Sequence, residues 1–157
     1  MPIPALFETD PVAGNGDAAD DMAIWINPTD RSQSLIIGTD KKAENLEVYD
    51  LAGHRLQRIA DKNHSVNNVD LRYHFPLGGQ FVDIVVSGGT DVAIYKIDPV
   101  ARQLVDITAR LITAKNDAWG VCLYRNPMGR FYVFTTANNG EVEELELFDN
   151  GSGKVDA

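Results

Sequence analysis

Only one cysteine, Cys122, occurs in the 157 residues, so neither an intrachain disulfide nor a cysteine-rich zinc site can form. Cations are scarce as well: 14 lysines and arginines stand against 23 aspartates and glutamates, a formal charge of −9. That balance excludes nucleic acid or an anionic membrane as partners held by bulk electrostatics, and an anionic substrate would need a mediating cation. Apolar stretches such as Val82 to Ser87 end after a few residues and contain charge, so no membrane span is expected. Nor is there an apolar stripe at helical spacing. Met1-Pro2-Ile3-Pro4 has neither the basic region nor the apolar stretch of a signal peptide, from which we expect a cytoplasmic protein or one whose leader was removed. With 44% apolar and 24% charged residues, the composition is that of one folded domain.

What the chain does contain is a repeat. Ala23 to Pro28, Asp70 to Pro76 and Val121 to Pro127 are β-rich segments ending in proline, the prolines 48 and 51 residues apart. Each is followed by a β-branched and aromatic run: Leu35 to Thr39, Val82 to Ser87, and Phe131 to Thr136. Gly38, Ser87 and Thr136 are spaced by 49 residues both times. Third come the alternating segments Leu46 to Leu51, Val92 to Ile97 and Val142 to Leu147, whose period of two reads as strands with one buried face. Turns at Ala52-Gly53, Asp98-Pro99 and Asn150-Gly151 lead into short fourth strands at Leu56 to Ile59, Leu104 to Ile107 and Lys154 to Val155. Three four-stranded units with a period near 49 predict an all-β fold, a β-propeller with blades over 20–60, 68–108 and 118–157; a β-sandwich is the alternative. Three blades leave open faces, which predicts self-association or association with further blades.

The polar cluster Gly14-Asn15-Gly16-Asp17-Ala18-Ala19-Asp20-Asp21 precedes the first unit. Its glycines mimic a dinucleotide fingerprint, but no strand precedes them and no helix follows. Its carboxylates read either as a solvated turn or as part of a site for a hard cation, which takes carboxylate and carbonyl oxygens together. Asn67-Asn68-Val69-Asp70 enters the second unit where Asp20-Asp21-Met22-Ala23 enters the first, placing both at one end of a ring. Lys41 and Lys42 follow the second strand, either as point charges for phosphate or as protection for a sheet edge. His54, His64 and His74 form no metal motif, the serines lie in no nucleophile elbow, and Cys122 is expected as an inert packed thiol.

Asp17-Ala18-Ala19-Asp20-Asp21-x-Ala23-Ile24-Trp25, Thr39-x-Lys41-Lys42 and Asn67-Asn68-Val69-Asp70-x-Arg72-Tyr73-x-Phe75-Pro76-Leu77 together resemble the amino-terminal signatures of the calcium-dependent β-propeller phytases. The likeness runs from about Glu8 to the end of the chain. It implies half of a six-bladed propeller and hydrolysis of phosphate from phytate or lower inositol phosphates by a calcium-activated water. It further implies calcium bound by Asp20, Asp21, Met22, Asn67 and Val69, with Glu8 an outlying ligand. Lys41 and Asp20 would carry catalysis, Lys41 and Lys42 would bind substrate, and the location would be secreted or periplasmic. Thr90, Trp119 and Asn138 depart from the family pattern, standing where an arginine, a tyrosine and a lysine are expected. Those departures support a second reading, an incomplete and catalytically degenerate propeller that binds inositol phosphate or calcium, or that assists an adjoining full domain.

Overall fold

A computed structural model describes residues 3–60, 66–115 and 118–157. The first sheet is an antiparallel meander of β1 (Ala19–Trp25), β2 (Leu35–Asp40), β3 (Asn45–Tyr49) and β4 (Arg55–Ala60). The second repeats the order with β5 (Asn68–Leu77), β6 (Gln80–Gly88), β7 (Asp91–Asp98) and β8 (Gln103–Asp106), and adds a short β9 (Ile112–Thr113) on β7. The third comprises β10 (Ala118–Arg125), β11 (Phe131–Ala137), β12 (Val142–Asp149) and β13 (Val155–Asp156). Among the described residues the only helical element is a 3-10 turn, Arg31–Gln33, whose first N–H groups are capped by Asp30. The fold is thus all-β, with three four-stranded blades of a β-propeller.

The blades stack because alternate residues of each sheet are apolar. Trp25, Leu35, Ile37 and Val48 of the first blade meet Leu71, Val85 and Tyr95 of the second. Ile84, Val86 and Ile94, on the opposite face of the second blade, meet Leu123, Phe131 and Val133 of the third. A middle blade covered on both sides explains why β6 and β7 read as nearly continuous apolar runs. Burying each such side chain contributes about 1.5–3 kcal/mol, so the two seams hold the chain together.

Polar ties fix the seams. Trp25 Nε1 donates to Asp83 Oδ2 over 2.8 Å, and the other oxygen of Asp83 accepts the His74 N–H at 3.0 Å. His74 lies in a β-bulge between Arg72 and Phe75, with φ of 63°, so that carboxylate secures a backbone conformation few non-glycine residues adopt. Asp70 Oδ2 accepts the Leu123 N–H at 2.7 Å, joining β5 to β10. Gly88 lets those two blades close up: a Cβ there would lie 2.9 Å from Val121 Cβ.

The third blade corrects the repeat. Leu35 and Ile37 point toward the following blade, as do Ile84 and Val86, whereas Phe131 and Val133 point back to the preceding one. Buried Thr135, not exposed Thr136, therefore stands where Ser87 does, a spacing of 48 (87 to 135) instead of 49. A slip of one residue reverses which side chains face the core. For the same reason Cys122 is exposed and not a packed thiol: it shares the outward row with Phe134 and Glu144. The proline boundaries also shift, since β1 and β10 end before Pro28 and Pro127, while Pro76 lies inside β5.

Candidate functional site

Ala19 pairs with Asp40, so the start of β1 and the end of β2 share one rim of the first blade, with the Lys41–Glu44 turn beside them. The loop before β1 is folded onto that rim. Gly14 N–H donates to Asp40 Oδ2 at 2.7 Å, and Lys41 N–H donates to the Ala18 carbonyl at 2.9 Å. A Cβ on Gly14 would come within 2.8 Å of Ala18 and Lys42 side chains, which explains the glycine. Asp40 is the buried pin of this arrangement, its Oδ1 accepting the Lys42 and Ala43 N–H groups at 3.2 and 3.0 Å. Burial pushes its carboxyl up, but the N–H groups of Gly14, Ala43, Lys42 and Ala13 outweigh it and hold the group below the ordinary carboxylate value.

With the turn pinned, Lys41 Nζ lies 2.7 Å from Asp20 Oδ1 and 2.9 Å from Asp17 Oδ2. Hydrogen bonds to Asp20 and then Asp17 raise the ammonium's pKa, and the bond from Lys41 lowers that of Asp17. Beside this triangle, Asp21 spans the seam between the first two blades. Its Oδ2 accepts the Val69 N–H at 3.1 Å and Asn68 Nδ2 at 3.3 Å, and its Oδ1 accepts the Met22 N–H at 2.8 Å. The Thr39 hydroxyl accepts the Asp21 N–H and donates to the Asn67 carbonyl, both at 2.9 Å. Asn67 Nδ2 in turn reaches the Trp119 carbonyl at 3.2 Å, so one chain of contacts crosses all three blades.

Of the residues singled out from sequence, Asp20, Asp21, Met22, Lys41, Asn67 and Val69 come together at this rim. Lys42 is exposed next to Lys41. Glu8 is not brought there: its main chain packs on Gly53, in the turn after β3 at the opposite end of the blade. The Gly14–Ala19 segment is a loop entering a strand, with no helix after it. His54 and His74 are exposed away from the rim, and His64 lies outside the described residues. Sequence reasoning missed Asp40, and it missed Lys115, a cation at the rim of the third blade whose Nζ lies 3.7 Å from Glu143 Oε1. The alternation of β12 could have flagged Glu143 as facing inward; nothing in the sequence marks Lys115.

Carboxylate, amide and carbonyl oxygens are the donors a hard cation takes, so the rim fits such an ion in chemistry. Among the described residues, however, no three Asp, Glu, His or Cys side chains surround one point. Asp17 and Asp20 face Lys41 and Asp21 faces backbone N–H groups, so the chain holds part of a donor set.

A profile of the Phytase family matches residues 2–157. The chain belongs to the phytase family. It is 39% identical over 162 aligned residues to the 3-phytase of Bacillus subtilis (strain 168). The match covers 98% of this chain but 42% of that relative, so the chain spans about two fifths of its length. Read as a phytase-family rim, the Asp20–Lys41 contact brings an acidic and a basic candidate within one hydrogen bond of each other.

Acid should weaken this rim. Asp40 and Asp17 have folded values below the ordinary 3.8, so between the two values the unfolded chain binds more protons and stability rises with pH. The contribution is present above about pH 4 and is lost as pH falls through the folded values. Chemical denaturation at pH 7, 4 and 3 measures it; Asp40→Asn should flatten the acid limb.

Proposed function

We propose that this chain forms part of a site that hydrolyses phosphate monoesters of phytate or lower inositol phosphates with the help of calcium. The observation that carries the reading is the lysine set between carboxylates at one rim, in a chain of the phytase family. Asp20 and Asp21 side chains would hold calcium together with oxygens of Met22, Asn67 and Val69; Glu8, at the far end of the blade, would serve only a separate ion. Calcium bound there would offset the charge of the phosphate and lower the pKa of a water that attacks phosphorus. Lys41 supplies a point charge to a phosphate oxygen, and Lys42 stands exposed beside it for a neighbouring phosphate. Asp21, Thr39 and Asn67 hold the rims of successive blades in fixed relation, which sets where those charges point.

Thr90, Trp119 and Asn138, together with the partial donor set, favour a second reading, a propeller domain that binds inositol phosphate or calcium without turnover or that assists an adjoining full domain. Further blades or a second copy would cover the outward face bearing Tyr124, Tyr132 and Phe134, and the location would be secreted or periplasmic. Phosphate release from phytate, with calcium and then with excess chelator, tests the main reading. Calcium-dependent release supports it; tight phytate uptake without release favours the second.

Asp21→Ala should abolish most of the rise in melting temperature that calcium produces, whereas His54→Ala should leave that rise intact. Without calcium the variant should still lose about 1–3 kcal/mol, because the Val69 and Met22 N–H groups lose their acceptor. An undiminished calcium-induced rise in Asp21→Ala, followed by scanning calorimetry, would remove Asp21 from the metal site.

A further inference from the structure

Lys41 is held at its base and committed at its tip. Its N–H is bonded to Ala18, and the turn that carries it is pinned by Asp40. Its side chain is only 23% exposed, and the ammonium bridges Asp20 and Asp17 at 2.7 and 2.9 Å. Of these two carboxylates, Asp20 is one that a divalent ion at the rim would use, and Asp17 stands beside it on the same ammonium. An ammonium and a divalent cation cannot share them without strong like-charge repulsion at such distances.

We propose that Lys41 is an exchangeable internal cation that couples divalent-ion and phosphate binding at this rim: the ion displaces the ammonium from Asp20 and Asp17 and so releases it to phosphate. The proposal rests on the reading that the rim binds a divalent ion. Two carboxylates and one ammonium carry a net charge of −1, which repels phosphate. A divalent ion brings the same group to +1 and frees the ammonium from its carboxylate partners. By linkage, phosphate must then strengthen ion binding by the factor with which the ion strengthens phosphate binding. Only the end of the lysine needs to move, because the strands and the turn beneath it are fixed.

Isothermal titration calorimetry of the 157-residue chain tests this, with calcium alone, with sub-millimolar inorganic phosphate alone, and with each in the presence of the other. Lys41→Met should bind calcium alone about three- to tenfold more tightly, because the competing charge is gone, while the enhancement of phosphate binding by calcium shrinks. Asp17→Asn, at an exposed position, should loosen the ammonium and strengthen phosphate binding without calcium about two- to fivefold. Lys41→Arg should retain the coupling. These opposite signs separate exchange from a structural role, in which every Lys41 variant would weaken both ligands. If Lys41→Met binds calcium no more tightly than the unaltered chain, and phosphate enhancement is unchanged, the exchange is overturned while calcium binding at the rim stands. If neither protein takes up calcium, the exchange and the reading beneath it both fall.

Discussion

Replacing Glu47 with alanine will lower stability by about 3 kcal/mol, toward the lower end of what breaking a buried ion pair costs. Glu47 is fully buried on the outward face of β3. Its Oε1 accepts a hydrogen bond from Arg58 Nε at 2.5 Å, and its Oε2 lies 2.7 Å from Arg55 Nε in a close ion pair that is not a directed hydrogen bond. The segment before β1 closes over this group. Asp10 accepts the Arg55 N–H at 2.7 Å and donates its own N–H to Gly53, and the Arg55 guanidinium donates to the Pro11 carbonyl. Without Glu47, two guanidinium groups face each other with no counter-charge between them, relieved in part by the water each still reaches. A loss of about 3 kcal/mol should lower the melting temperature by roughly 6–12 °C in a chain of this size. Glu47→Gln, which keeps the volume and one acceptor, should lie between. Equal urea midpoints for Glu47→Ala and the unaltered chain would show that the pair contributes no net stability.

A still larger loss is expected at Trp25. The residue is 1% exposed and fills the seam between the first two blades, so Trp25→Ala should cost about 3–5 kcal/mol through lost burial and the cavity left behind. Trp25→Phe retains most of the ring but removes the N–H donated to Asp83, and should cost about 1–3 kcal/mol. If Trp25→Phe proved as damaging as Trp25→Ala in urea denaturation, the hydrogen bond and not the packing would dominate. Alkaline pH offers an independent view of the same blade. Burial, and then the nearby Glu47 carboxylate, push the Tyr49 hydroxyl above its ordinary value of 10.0. Stability from that neutral hydroxyl is present below about pH 10 and is lost as pH rises through the folded value.

The strands were legible because β-rich runs recur in the same order in each blade, and both seams draw on residues whose period of two is plain in β2, β3 and β11, while β7, covered on both faces, reads as a nearly continuous apolar run. The reversal of faces in the third blade was not, because Thr135 and Thr136 are chemically identical and only burial separates them. Cys122 was misjudged with them. At the rim, the short motifs brought Asp20, Asp21, Lys41, Asn67 and Val69 into one region, since each lies at a strand end where the meander returns. The direct pairing of Lys41 with Asp20 and Asp17 depended on the Gly14 loop folding back onto Asp40, a contact 26 residues distant in sequence that no periodicity announces. That Glu8 lies at the opposite end of the blade was not legible for a similar reason, because a segment without alternation carries no signal of which end of a sheet it follows.

Nitrogen-15 correlation spectra recorded while calcium and then phytate are added to the chain test whether both bind at the Asp20–Lys41 rim. Amides of Asp20, Asp21, Lys41, Asn67 and Val69 should shift with calcium, and the Trp119 indole and Lys41 should respond to phytate. Shifts confined to the opposite rim around His74, Phe81 and Asp98, with the Asp20–Lys41 region unchanged, would contradict this expectation.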